Sequence, residues 1–482
     1  MSQNALPSIT STILETARGE RLLTGTTVDI PLPQQPRRFY IHGWQSWSLS
    51  AWVDVERPLH PPRPPRLHPM QTDPLYATDP SHHGSWLGAV EFADERVLLL
   101  GALGTDAHVR LDGNTLRGHY ENGSGEWLLA WGEETQVFAR YAELLGERLE
   151  RSKQGNAPRV WCSWYSYYTH IDEKRLRRTL DDLGDLPFEV FQVDDGWQRA
   201  IGDWEPNEKF PSGMADLAKR IRETGRTPGL WLAPLLATPT SSLCRDHPDW
   251  LLRDESGKPV SAGFNWGQDL FALDTTHPDV AQWLCETMRR VREWGYAYIK
   301  LDFLYAGALP GRRHDNMPRE AAYRQALQAL REALGKDAYL LACGAPIIPS
   351  LGLCDALRVG PDVASYWDNP RDDQLLHNFA IPGTRNAIRT TIHRLWLRPL
   401  VRVDPDVVYF RSRDITLTES QKRRLQDLAL ICGYKATSDP PAWLDNNERA
   451  ALRAFLEAQP TIERLGRYTF RINGREVDFS AA

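Results

Sequence analysis

Lys300 and Asp302 stand two residues apart at the end of the apolar run Tyr298-Ile-Lys300-Leu-Asp302-Phe303. Further along, Asp362 closes Arg358-Val-Gly-Pro-Asp362, just after the short apolar run Ala356-Leu357. Side chains at i and i+2 of a strand share a face, so Lys300 and Asp302 point the same way as their strand ends. Two carboxylates, each beside a fixed cation and at the end of a different strand, are the parts that two-step glycoside hydrolysis uses. The plainer alternative is a structural Lys–Asp pair and an unrelated loop aspartate.

A second acidic pair, Asp194-Asp195, precedes Gly196-Trp197. Adjacent aspartates serve equally as turn or helix-start residues, so alone they decide nothing. The chain holds 18 tryptophans, several set among Gly, Ser and Asp rather than in apolar runs. Aromatic faces stack on the C–H faces of sugar rings, although large aromatics also fill cores and domain interfaces.

The elements that must position these residues alternate from Arg159 onward. Strand-like runs fall at Val160–Trp164, Glu189–Val193, Pro228–Leu232, Tyr296–Leu301, Tyr339–Ala342 and Ala356–Val359, with others near Val401–Val408 and Leu428–Ile431. Helix-like segments such as Glu173–Leu183, Met214–Glu223, Val280–Trp294 and Arg319–Leu334 lie between them. Repeated β-then-α order implies parallel strands with helical crossovers, and about eight such units make a (β/α)8 barrel. Trp164, Asp194, Asp195, Trp231, Asp302, Cys343, Gly344 and Asp362 all fall at C-terminal strand ends, the end that carries chemistry in such barrels.

Before the barrel, short apolar runs (Val97–Leu103, Trp127–Trp131) separated by turn signals such as Asp112-Gly113-Asn114 suggest an antiparallel sandwich. A proline-rich stretch from Pro58 to Pro80 reads as an extended connection whose histidines lack ligand spacing. After the barrel come a helix at Asn447–Leu456 and a hairpin centred on Asn473-Gly474. The expected organisation is α/β: an N-terminal β-sandwich (1–152), a catalytic barrel (153–437) and a short C-terminal β domain (438–482).

A net charge of −6 gives no electrostatic reason to expect nucleic acid or an anionic membrane as partner. No apolar run approaches the length of a transmembrane helix, and the first residues lack a signal-peptide pattern. The 6 cysteines are scattered without CxxC spacing, which argues against a zinc site or a disulfide framework. A reduced, cytoplasmic protein is expected, with no metal or cofactor. Assembly into a homo-oligomer is compatible with this composition.

Trp161-Cys-Ser-Trp164-Tyr165, Phe191-Gln-Val-Asp194-Asp195-Gly196-Trp197-Gln198, Gly202-Asp203-Trp204, Gly229-Leu-Trp231-Leu-Ala-Pro234, Lys300-Leu-Asp302-Phe303 and Arg358-Val-Gly-Pro-Asp362 follow in order, with Trp44-Gln-Ser-Trp47-Ser48 upstream. Together they resemble the α-galactosidases of glycoside hydrolase family 36, especially the compact bacterial type, from about Arg159 to Asp406. The resemblance implies that Asp302 is the nucleophile and Asp362 the general acid/base of a retaining mechanism, with carboxyls about 5–5.5 Å apart. Lys300 should keep Asp302 ionised, while Val363, Ala364, Tyr366 and Trp367 would desolvate Asp362 and raise its pKa.

By the same resemblance Asp194 and Asp195 accept hydrogen bonds from O4 and O6 of galactose, and Trp231 walls the pocket. Lys300 also bonds a ring hydroxyl. Arg358 partners O2 or the catalytic carboxylate, and Cys343-Gly344 lies near O2, the other reading of Cys343 being a small buried thiol. Trp44 and Trp47 either reach over the barrel mouth or pack the domain interface. The chain departs from the family pattern around Leu397–Asp406, at Phe264, where the family often carries Arg, and in a short C-terminal domain. None of these departures is expected to touch the two carboxylates.

The sequence thus points to hydrolysis, with retention, of terminal α-linked galactose from melibiose- or raffinose-type oligosaccharides or other galactosides. Rivals on the same scaffold are an α-N-acetylgalactosaminidase and a transgalactosylase. From another class comes a non-catalytic galactoside-binding protein. A sugar-phosphate enzyme is disfavoured because no Gly-rich phosphate loop follows the seventh or eighth strand.

Overall fold

Eight short parallel strands form the centre of the molecule: Val160–Cys162, Val190–Val193, Thr227–Leu232, Tyr298–Leu301, Tyr339–Ala342, Ala356–Arg358, Arg402–Asp404 and Ala436–Thr437. Nearly all their residues are buried, which is why they read as apolar runs rather than as alternating strands. They lie in the order seven-six-five-four-three-two-one-eight. The bridge between Val408 and Thr437 joins the eighth strand to the segment continuing from the seventh and closes the ring. This computed structural model describes residues 19–62, 64–151, 156–369 and 378–481; the expected boundary between residues 152 and 153 lies outside the described residues.

Amphipathic helices Glu173–Leu183, Met214–Glu223, Pro278–Trp294, Arg319–Leu334, Thr384–His393 and Glu419–Cys432 fill most of the connections. Two features differ from the sequence reading. The apolar run Leu428–Ile431 is helical, and the eighth strand is Ala436–Thr437. A capping box at Thr418 and Gln421 starts that helix, so the run is its buried face rather than a strand.

The fifth connection, moreover, holds only a 3-10 turn, Ile348–Ser350. There the Trp44–Trp47 segment of the N-terminal region docks instead of a helix. Ser46 N donates to Ala345 O at 3.0 Å, Ala345 N to Ser46 Oγ at 3.0 Å and Ile347 N to Trp44 O at 3.0 Å.

Residues 19–132 build two antiparallel sheets, one of six strands and one of four, packed over Trp86, Leu98, Leu100, Leu116 and Trp127. The tail carries the helix Asn446–Glu457 and a three-stranded sheet, Ile462–Arg464, Thr469–Ile472 and Arg475–Asp478. Asn473 and Gly474 have φ of 48° and 84°, the positive pair a two-residue hairpin turn requires. Among the described residues no helix is long and apolar enough to cross a membrane.

Candidate active site

The C-terminal ends of the strands open into a cavity of about 250 Å³ whose lining includes Asp194, Asp195, Trp231, Lys300, Asp302 and Asp362. The second strand ends in Asp194, whose Oδ2 accepts from Gln192 Nε2 at 2.6 Å and from Lys300 Nζ at 3.1 Å. Asp195 accepts from Gln198 Nε2 at 2.6 Å and Trp266 Nε1 at 2.7 Å. Burial pushes the Asp195 carboxyl above its ordinary value, with those two bonds opposing the rise and Asp194 adding to it.

Lys300 projects between carboxylates, its Nζ 3.1 Å from Asp194 Oδ2 and 3.9 Å from Asp302 Oδ2. Burial alone would strip its proton; Asp194 and Asp302 outweigh that cost and hold the ammonium well above its usual range. Asp302 leaves the fourth strand with its amide bonded to Leu232 O at 2.8 Å. Its Oδ2 accepts from Trp231 Nε1 at 3.0 Å and its Oδ1 from Phe303 N at 2.8 Å. The Trp231 donor is held in place, because Trp231 pairs with Lys300 in the sheet and its carbonyl accepts from Trp197 Nε1 at 2.9 Å.

Asp362 faces the same cavity from beyond the sixth strand, with 32% of its side chain exposed. Burial raises its pKa from the ordinary aspartate value; Arg358 and Lys300 oppose the rise and Asp302 adds to it. Arg358 Nη1 lies 3.2 Å from Asp362 Oδ1 and 2.8 Å from Asp406 Oδ2, and its Nε lies 3.0 Å from Asp404 Oδ2. Tyr165 OH donates to Asp406 Oδ2, which also accepts from Val363 N at 3.0 Å. Burial pushes Asp406 up to about 7, Arg358 lowering it and Asp362 and Asp404 raising it. The seventh-strand segment, one of the departures expected not to touch the two carboxylates, reaches Asp362 through Arg358.

The remaining candidates divide. Arg358, Cys343 and Gly344 are buried and do not line the cavity. Cys343 has the raised pKa of an enclosed neutral thiol, driven by burial, so the buried-thiol reading fits it. Gly344, at φ +52°, lets the chain pass close by: a Cβ there would meet Phe303 N at 2.9 Å and the Trp47 ring at 3.1 Å. Trp44 does not line the cavity. Its Nε1 donates to Glu320 Oε1 at 2.9 Å on a barrel helix, so it packs the interface, while Trp47 alone of the pair reaches the cavity.

Sequence reasoning missed much of the cavity wall. Leu67, Met70 and Gln71 arrive from the proline-rich stretch, which contains a short helix, His68–Gln71, rather than a plain extended connection. Trp266 comes, beside Phe264 that the sequence singled out, from the hairpin Ser261–Asn265/Gln268–Ala272, and Ala380, Ile381 and Pro382 from before the helix Thr384–His393. Arg66 sits 4.2 Å over the Phe264 ring. Phe303, Trp266 and Asp406 hold φ of 53°, 51° and 83°, and such backbone strain in non-glycine residues gathers at functional sites. Among the described residues no group of three or more His, Cys, Asp or Glu could hold a metal ion.

Residues 129–334 match the family model described as Melibiase. The chain is 50% identical to TtGalA, an α-galactosidase from Thermus thermophilus solved with p-nitrophenyl α-D-galactopyranoside; the match covers 95% of this chain and 94% of that one, with a TM-score of 0.91. A second structure of that protein holds stachyose. α-Galactosidase AgaA of Geobacillus stearothermophilus is 32% identical over 208 residues, 40% of this chain but 27% of that protein. The match spans about a quarter of the curated relatives' length. The AgaA crystal structure, at 18% identity and a TM-score of 0.61, shares the fold.

Proposed function

The chain belongs to the α-galactosidases of glycoside hydrolase family 36, and on that premise we propose that it hydrolyses terminal α-galactosides with retention. The observation that carries the reading is the pair Asp302 and Asp362, which end different strands and face one cavity in unlike surroundings. Asp302 is held by two N–H donors beside Lys300, as suits a nucleophile attacking the anomeric carbon. Asp362, its pKa raised by burial, gives its proton to the departing oxygen, then takes one from the water that releases galactose. Asp194 and Asp195 accept the ring hydroxyls. Their oxygens are oriented by donors of the protein and keep acceptor capacity for an axial O4, a charge-assisted bond that an equatorial O4 would forgo.

The substrate class is the melibiose, raffinose and stachyose series. An acetamido group at C2 would need room near Cys343 and Arg358, and both are buried outside the cavity lining, which favours galactose. A cytoplasmic location accords with the absence of a disulfide among the described residues, and cell fractionation tests it. The activity is tested by turnover of nitrophenyl α-galactoside beside the α-N-acetylgalactosaminide and α-glucoside. Cleavage of the galactoside alone, lost in Asp302→Ala, is expected; no turnover of any of the three by the folded wild type would sink the reading.

A further inference from the structure

Beside the catalytic cavity lies a second cleft, lined in part by Tyr167, Tyr168, Arg175, Arg413 and Trp443. Tyr167, Tyr168, Arg413 and Trp443 follow the first, seventh and eighth barrel strands, so the cleft begins on the barrel face that holds the cavity. It continues along the helix Glu173–Leu183 past Arg178, Thr179 and Asp182. The two are joined by aromatic contact: Trp164 lines the cavity, and its ring centroid lies 5.2 Å from that of Tyr168. Resting on the reading above, we propose that this cleft binds the distal sugar units of an oligosaccharide whose terminal galactose occupies the cavity.

Tyr168 is the platform. It is 47% exposed, one of few large apolar side chains left open among the described residues. Its backbone holds φ 48° and ψ −138°, a region in which only glycine is at ease. Strain of this kind persists where the surroundings fix it and is concentrated at ligand sites. Around the platform stand arginines pinned by stacking. The Arg175 guanidinium sits 5.3 Å from the centroid of the Tyr167 ring and that of Arg413 4.9 Å from the centroid of the Trp443 ring. Tyr167 and Trp443 meet edge to face at 5.9 Å, which fixes one stacked pair against the other. Planar donors held in place beside an open aromatic face suit the hydroxyl-rich edge and C–H face of a pyranose, with little ordering left to do on binding.

The test is the ratio of kcat/KM for stachyose to that for nitrophenyl α-galactoside, in wild type, Tyr168→Gly and Arg413→Ala. Glycine satisfies the backbone at position 168, and the ion pair of Arg413 with Asp414 and its stacking on Trp443 lie outside the cavity lining. Each variant is expected to lower the ratio by about 3- to 10-fold, the worth of one aromatic contact. Ratios equal to that of wild type in both variants would overturn the cleft assignment and leave the activity standing. A wild type that cleaves neither substrate would remove the premise as well.

Discussion

Arg358 serves three carboxylates at once, and that division of labour sets the proton on Asp362. Its Nη1 is shared by Asp362 and Asp406, while Nε holds Asp404. An ionised Asp406 draws the guanidinium away and adds negative charge beside Asp362; both effects favour the protonated acid. Asp406→Asn removes that competitor and leaves Arg358 to Asp362, so the ionised form of Asp362 gains. The alkaline limb of kcat/KM should therefore move to lower pH, with activity falling by about 10- to 100-fold, as for groups that orient a reacting residue. A pH profile of the variant decides the matter. Equal loss at every pH, with the limb unmoved, would make Asp406 merely structural.

At the scale of elements, the cavity roof is a loop held from below. Arg394, fully buried on the barrel side, donates to Ser46 O at 2.8 Å, Gly43 O at 2.7 Å, Gln45 O at 3.0 Å, Val359 O at 2.8 Å and Ser50 Oγ at 2.9 Å. Burial brings its pKa down to about 9, with Tyr40 opposing the drop. The planar fork thus fixes the segment that carries Trp47, and Gln45 Nε2 in turn donates to Met70 O on the neighbouring wall. Lysine cannot reproduce five donors in one plane. Arg394→Lys should cost about 2–4 kcal/mol in denaturant unfolding, through carbonyls left unsatisfied, and raise KM more than it lowers kcat. An unchanged KM in the folded variant would detach Trp47 from substrate binding. The residues that end strands were legible in the sequence, because an apolar run followed by Lys300 and Asp302 announces both strand and exit. The walls were not: Leu67, Met70, Trp266 and Ile381 lie on irregular segments whose direction is set by docking, not by any local period. Trp44 and Trp47 look alike in sequence, and only the position of Glu320 on a distant helix sends one to the interface. The run Leu428–Ile431 could be strand or buried helix face, and the Thr418–Gln421 capping box was the available signal for helix.

In the whole molecule, sandwich, barrel and tail converge on His393 at the end of the barrel helix Thr384–His393. Tyr40 OH of the sandwich donates to the His393 carbonyl at 2.6 Å, and the ring contacts Arg389 O at 2.7 Å and Tyr468 OH of the tail at 3.1 Å. Nδ1 donates to the Arg389 carbonyl, which leaves Nε2 to accept from Tyr468. Burial lowers this histidine to about 4; the bond to Arg389 O opposes the drop, and the cations Arg467, Arg389 and Arg464 add to it. Above about pH 6.5 the ring is neutral in both folded and unfolded chains, and its contribution to stability is whole. As pH falls from 6.5 toward 4 the unfolded chain takes the proton first, so stability drains through that window and levels off below it. His393→Gln keeps polar partners for Arg389 and Tyr468 without a titrating ring. Its Tm should fall less steeply between pH 6.5 and 4 than that of wild type, by an amount on the order of 1–3 kcal/mol in stability at the acid end. Parallel slopes for the two proteins, by calorimetry across that window, would show that the junction of the three layers is not where acid loosens the molecule. Other imidazoles whose pKa values burial also lowers, His42, His82, His83 and His108, would then be the groups to replace.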